Sequence, residues 1–176
     1  MCDHEQHAEG NGPQRVVRQF QKRKRTLPRW EATNTVYSIR ASVLPERRER
    51  LINPAVAEVV RGALHFQHDR RCTLHFYSIM PNHVHVVLEP VARDDGVVPL
   101  PEIMHSFKSF TAHQINRMSG ATGEFWLVEV FNRMIRNREE YWDWYDYIRL
   151  NAFNAGLVND PDEWRYWWAR PEMRYE

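Results

Sequence analysis

Cysteine is almost absent: Cys2 and Cys72 are the only two in 176 residues. One lies in a polar N-terminal stretch and one in a run with strand character. The pair neither staples a fold nor makes a zinc site, and both read as reduced thiols of a cytoplasmic protein. No apolar run approaches the roughly 18–20 residues that a bilayer span needs, so no membrane partner is expected. The opening Met1-Cys2-Asp3-His4-Glu5 has no apolar signal region, which argues against export. Net charge is only +1, so bulk charge says nothing about nucleic acid, and no internal repeat is visible. Aromatic residues, by contrast, are plentiful: Trp, Tyr and Phe make 12% of a chain that is 43% apolar and 27% charged. Those proportions and that length fit one globular domain with its own core. Aromatic rings build cores, and they also stack on nucleobases.

The distribution of charge is more informative than its sum. Arg15, Arg18, Lys22, Arg23, Lys24, Arg25 and Arg29 crowd one stretch. Residues 1–28 therefore read as a disordered basic leader, and 29–176 as the folded domain with an aromatic C-terminal tail. Such a run is either a solvated tail or a phosphate contact whose binding depends on salt.

Within the domain, Thr33–Leu44 alternates as a strand, with Ser38 and Arg40 opposed to Tyr37 and Ile39. Asn53-Pro54 marks a helix start, and Pro54–Phe66 carries an apolar stripe. Cys72–Met80 and His83–Glu89 flank the turn signal Pro81-Asn82 and predict a hairpin. A loop follows. Leu100–Met118 then reads as a helix with Ile103, Phe107, Phe110 and Met118 inward, ended by Gly120. Phe125–Ile135 is a possible strand. Asn137, with Glu140 three residues on, opens a last helix expected to run to about Asn154 and stop at Gly156. The Trp-rich tail is expected to pack on the body, because Trp164, Trp167 and Trp168 are costly to expose. The order of elements predicts an α+β domain, an antiparallel sheet with helices on one face.

Two places carry candidate chemistry. His83 and His85 are two apart on a predicted strand, so they share a face while Val84, Val86 and Leu88 take the other. Paired imidazoles on an open sheet face suit a metal ion, although such a pair is also common without one. On the last helix Tyr147 and Asn151 are four apart and share a face, beside a packed stripe of Trp144, Tyr145 and Ile148. A phenol with pKa near 10 needs a base, or a metal that activates the phosphate it attacks. The bland alternative is a half-buried packing tyrosine.

Together these strings resemble a known family. Tyr77-Ser78-Ile79-Met80-Pro81-Asn82-His83-Val84-His85 resembles the histidine–hydrophobe–histidine motif of single-tyrosine transposases, in the flavour of the REP-associated tyrosine transposases. Ile103–Asn116, Gly123–Arg136 and Tyr147-Ile148-Arg149-Leu150-Asn151 resemble three further blocks of that family, in the same order. The resemblance implies His83 and His85 as metal ligands completed by Asn151, with Mg²⁺ or Mn²⁺ as the ion. It implies Tyr147 as a nucleophile that forms a 5′-phosphotyrosine, and a ferredoxin-like, RRM-like fold. It also implies single-stranded DNA beside a REP-like hairpin as partner, for a monomer or homodimer. Lys108, Arg117 and the leader residues Lys22, Arg23, Lys24 and Arg25 are expected phosphate contacts. The chain departs from the pattern at Ala152, where relatives usually carry Pro, and at Val130, where they often carry Tyr. Ala152 is expected to let the helix continue. Three rivals remain: a replication initiator or relaxase, for which 176 residues are few; a hairpin-binding protein that has lost catalysis; and an RNA-binding domain, which would need aromatics where the histidines stand.

Overall fold

Alternation makes the first strand. In β1 (Tyr37–Val43), Tyr37, Ile39, Ala41 and Val43 are buried, while Arg40 between them is exposed. The computed structural model describes residues 35–48, 50–94 and 96–173. The basic leader and its Lys22, Arg23, Lys24 and Arg25 lie outside the described residues. Asn53 caps α1 (Pro54–Gln67) by accepting from the Ala55 and Val56 amides, and Pro54 occupies the first turn, where its missing N–H costs nothing. The hairpin forms as expected from β2 (Cys72–Met80) and β3 (His83–Pro90). The expected loop after it contains a small ribbon of β4 (Ala92–Arg93) and β5 (Gly96–Val97).

Helix α2 (Leu100–Ser119) ends at Gly120, whose φ of 64° lies in the left-handed region that glycine enters freely. Its buried line steps by four through Ile103, Phe107, Thr111 and Ile115. Phe110, one residue short of Thr111 and so about 100° around the helix, is exposed, as is Met118. Both were expected inward; the apolar stripe is narrower than the composition suggests. β6 (Trp126–Met134) and α3 (Arg138–Arg149) follow. The last helix is not continuous. Leu150 tightens the turn, its amide reaching the carbonyls of both Asp146 and Ile148, and α4 (Asn151–Asn154) starts afresh before Gly156. The tail ends in a strand absent from the sequence reading, β7 (Trp167–Ala169), paired with β2.

The five long-range strands form one sheet in the order β6-β1-β3-β2-β7, with every pairing antiparallel. β1-α1-β2-β3-α2-β6 is the β-α-β-β-α-β plan of ferredoxin-like domains. The α+β class and single antiparallel sheet hold. The expectation of helices on one face alone does not. α1 and α2 cover the face carrying Ile39, Val84, Val86 and Leu88. α3 packs through Trp144, Tyr145 and Ile148 on Phe76, Val87 and Ala169 of the other face. β3 is therefore buried along nearly its whole length on both sides. Trp164 is buried against Met80 and Ala152, and its indole N–H donates to Ser78 Oγ at 3.1 Å. The tail does pack on the body. No described helix is long and apolar enough to cross a membrane.

Candidate active site

The site is built where β3 leaves its tight turn. His83 begins the strand and His85 follows on the same face, both nearly inaccessible to water. Their rings stand perpendicular, with centroids 4.7 Å apart. His83 Nδ1 lies 2.7 Å from Asn82 Oδ1. An amide oxygen only accepts, so Nδ1 carries the proton and Nε2 is left with its lone pair. Nε2 of His83 and Nε2 of His85 are both buried without a hydrogen-bond partner. Burial, helped by the charge of Arg40, pushes the His83 imidazole down to about 3. Burial, then His83, then Arg40, hold His85 well below the ordinary range. Both rings are thus neutral near pH 7, the form that donates to a metal.

α3 brings the phenol. Asn137 caps it by accepting from the Glu140 amide at 2.8 Å, and the Glu140 carboxylate turns back to the Arg136 amide and to Arg133 on β6. The buried aromatic stripe then lays the helix on the histidine face. Tyr147 comes to rest with its ring centroid 5.5 Å from that of His85, edge to face, and 5.5 Å from Trp144. It stays 37% exposed. Asn151 is half-buried at the first position of α4. The next residue, Ala152, packs with Met80, the register partner of His83. This anchors α4 at the His83 end of the site.

A family model described as IS200-like transposase matches residues 34–145, more than half the chain. This chain belongs to the IS200-like transposase family. The match stops two residues before Tyr147, so that residue's place rests on the geometry above. Among solved structures, a REP-associated tyrosine transposase bound to a REP hairpin superposes with a TM-score of 0.66 at 18% identity, covering 82% of each chain. A candidate transposase from Deinococcus radiodurans R1 aligns with a TM-score of 0.44 at 14% identity, over 73% of this chain and 95% of its own. No curated protein matches.

In this member of the family the chemistry of the donor set fits a cation only in part from side chains. Two buried imidazole Nε2 atoms without hydrogen-bond partners suit a divalent ion, yet no cluster of three or more His, Cys, Asp or Glu exists among the described residues. An ion held there would need oxygen ligands besides the two imidazoles. The described phosphate contacts expected from the sequence, Lys108 and Arg117, are not gathered at this site. Lys108 sits on α2, a helix of the opposite face, and its ammonium donates to the Leu127 and Val128 carbonyls at 2.6 and 2.9 Å. It caps backbone of the edge strand β6. Arg117 is exposed near the end of the same helix. The residue that sequence reading passed over is Arg40, the register partner of His85 on β1. Its outward alternation was visible; its strand neighbour was not.

Proposed function

We propose that this transposase nicks and rejoins single-stranded DNA beside a hairpin, with Tyr147 as nucleophile and His83, His85 and Asn151 holding a divalent cation, Mg²⁺ or Mn²⁺. The observation that carries the reading is the approach of the Tyr147 ring to the imidazole pair, at 5.5 Å from His85. The three groups come from β3 and α3, elements far apart in sequence. The partner is taken from the solved transposase of the same fold, which was captured on a REP hairpin.

The protein's own groups divide the work. Asn82 fixes the His83 tautomer so that Nε2 faces the site. Burial keeps both imidazoles unprotonated and excludes competing water. α3 presents the part-exposed Tyr147 phenol to the phosphodiester. When bound, the cation neutralises charge on the scissile phosphate and orients its oxygens. The Tyr147 oxygen forms a bond to phosphorus as the bond to the 3′-oxygen breaks. The phenol proton is lost and the 3′-oxygen gains one, leaving a 5′-phosphotyrosine and a free 3′-hydroxyl. One phosphodiester replaces another, so no nucleotide hydrolysis is needed, and a 3′-hydroxyl of a second strand reverses the step.

The test is incubation with a labelled hairpin oligodeoxynucleotide carrying a single-stranded flank, in Mg²⁺ or Mn²⁺, read on a denaturing gel. The wild type is expected to form a covalent adduct, and Tyr147→Phe to bind the DNA but form none. An adduct that survives Tyr147→Phe rules out the nucleophile. Hairpin binding by the wild type with no adduct in either metal selects the alternative of a non-catalytic hairpin-binding protein.

A further inference from the structure

A row of register partners crosses the histidine face of the sheet. Phe131 on β6 pairs with Arg40 on β1, Arg40 with His85 on β3, His85 with Ser78 on β2, and Ser78 with Trp167 on β7. Hydrogen-bonded strands lie about 4.8 Å apart, so each member of the row is one such step from the next. The two ends differ. Ser78 is buried and bonded to Trp164, and Trp167 packs with the aromatic cluster under α3. Phe131 is 51% exposed, and Arg40 is exposed too. The site therefore has one closed flank and one open flank, and DNA can reach Tyr147 and His85 along the open one.

Arg40 is the cation of that flank in the row of His85. Two other arginines near α3 are committed: Arg133 to Glu140, and Arg149 to Asp162 at 2.6 Å. No hydrogen bond or ion pair engages the Arg40 guanidinium among the described residues. Its charge acts on both His83 and His85. A cation held at the imidazoles would add a second positive charge close by. Two positive centres at that spacing repel unless an anion lies between them. A guanidinium binds phosphate oxygens through two parallel N–H donors, so a phosphodiester meets both needs.

We infer that Arg40 grips a backbone phosphate of the single strand next to the one attacked by Tyr147, and so sets which phosphodiester enters the site. This rests on the proposed function, because it takes the imidazole–tyrosine cluster as the place where single-stranded DNA is cut. Arg40 acts through substrate position. The Phe131 end of the row gives the entering strand an apolar floor.

Binding is measured in the Tyr147→Phe protein by fluorescence anisotropy in Mg²⁺. One probe is a hairpin oligodeoxynucleotide with a single-stranded flank, and the other is the same hairpin without it. Adding Arg40→Gln is expected to weaken binding of the flanked probe roughly tenfold and to leave the flankless hairpin unchanged. The log–log salt slope for the flanked probe becomes shallower by about 0.7, the share of one single-strand phosphate. Arg40→Lys, which keeps the charge and loses the fork, retains the slope and recovers part of the affinity. With Tyr147 restored, Arg40→Gln raises the DNA concentration needed for half-maximal adduct formation and scatters the cleavage position. Equal binding of the flanked probe by the Tyr147→Phe protein with and without Arg40→Gln at all salt concentrations overturns the assignment. So does an equal loss for both probes. If the wild type binds through Arg40 but never forms an adduct, strand transfer fails and the phosphate grip stands. If it forms an adduct indifferent to Arg40, the reverse holds.

Discussion

Three buried imidazoles sit on the α3 face of the sheet, and what faces each ring decides its use. His75 owes its position to a register shift in β2 between Leu74 and Phe76, which turns both His75 and Phe76 toward α3. Its Nδ1 lies 2.9 Å from the Tyr141 hydroxyl, and burial pushes that phenol up, so Tyr141 remains a donor. Its Nε2 points toward Glu89 at 3.7 Å, beyond hydrogen-bond reach but close enough to face a carboxylate. This ring is a structural peg between strand and helix. Among the described residues no ion pair engages His83 or His85, and their Nε2 atoms are buried without a hydrogen-bond partner. The peg has a consequence for stability. Burial pushes the His75 imidazole down to about 4, against about 6.5 in an unfolded chain. Between those values the unfolded chain binds a proton that the folded chain refuses, so stability falls as pH falls from 6.5 toward 4 and no further below it. The loss at this position is about 3 kcal/mol at most. Urea midpoints measured from pH 7 to pH 4.5 are expected to fall less steeply in His75→Gln than in the wild type, since the other histidines are common to both. Parallel curves would remove His75 from the account of acid sensitivity.

At the level of elements, α3 and α4 show what local sequence can and cannot reveal. The Asn53 and Asn137 caps, the Gly120 stop, the hairpin about Pro81-Asn82 and the shared face of His83 and His85 are all decided within a few residues, and each was legible. The face that α3 chooses depends on Phe76 and Val87, and the order β6-β1-β3-β2-β7 depends on pairings across the whole chain. Neither leaves a periodic trace. A strand of three residues such as Trp167–Ala169 is too short for alternation to announce it. For the same reason Arg40 was legible as outward-facing and illegible as the neighbour of His85. The break at Leu150 was missed because Ala152 looks like permission to continue a helix; the turn tightens two residues earlier. With Leu150 as the N-cap residue, Ala152 occupies the second position of α4, inside a first turn where proline is tolerated. Ala152→Pro is therefore expected to cost less than about 1 kcal/mol, against about 3 kcal/mol in a continuous helix interior. Equilibrium urea unfolding at neutral pH measures the difference, and a loss near the larger value would mean that α3 and α4 behave as one uninterrupted helix.

On the scale of the molecule, the candidate site is the seam between two packing units. One is the sheet with α1 and α2, whose core runs from Tyr37 to Trp126 and also takes Trp168 of the tail; the other is α3 and α4 with Trp164 and Trp167, seated on the opposite face through small aromatic clusters. The imidazoles belong to the first unit, while Tyr147 and Asn151 belong to the second. A cation that takes ligands from both would have its full affinity only for the folded state, in which β3 sets the imidazole pair and α4 is docked, so its binding energy would add to the stability of the whole fold. For an ion at a hundred times its Kd the gain is about 2.7 kcal/mol, which for a chain of this size is a rise in Tm of roughly 5–10 °C. Titration of the full chain with Mn²⁺, followed by thermal unfolding monitored by circular dichroism, is expected to give that rise with saturation. His83→Ala and His85→Ala each remove one of two buried nitrogen donors and are expected to abolish most of it. Asn151→Ala should reduce the shift by less, since a water oxygen can replace an amide oxygen on the ion. Lys108→Ala controls for general effects of the metal: it lies on the far face, so it should lower the starting Tm by freeing the Leu127 and Val128 carbonyls and leave the Mn²⁺ increment intact. A Mn²⁺ increment that persists in the His83→Ala, His85→Ala double variant would place the ion elsewhere and detach the imidazole pair from metal chemistry.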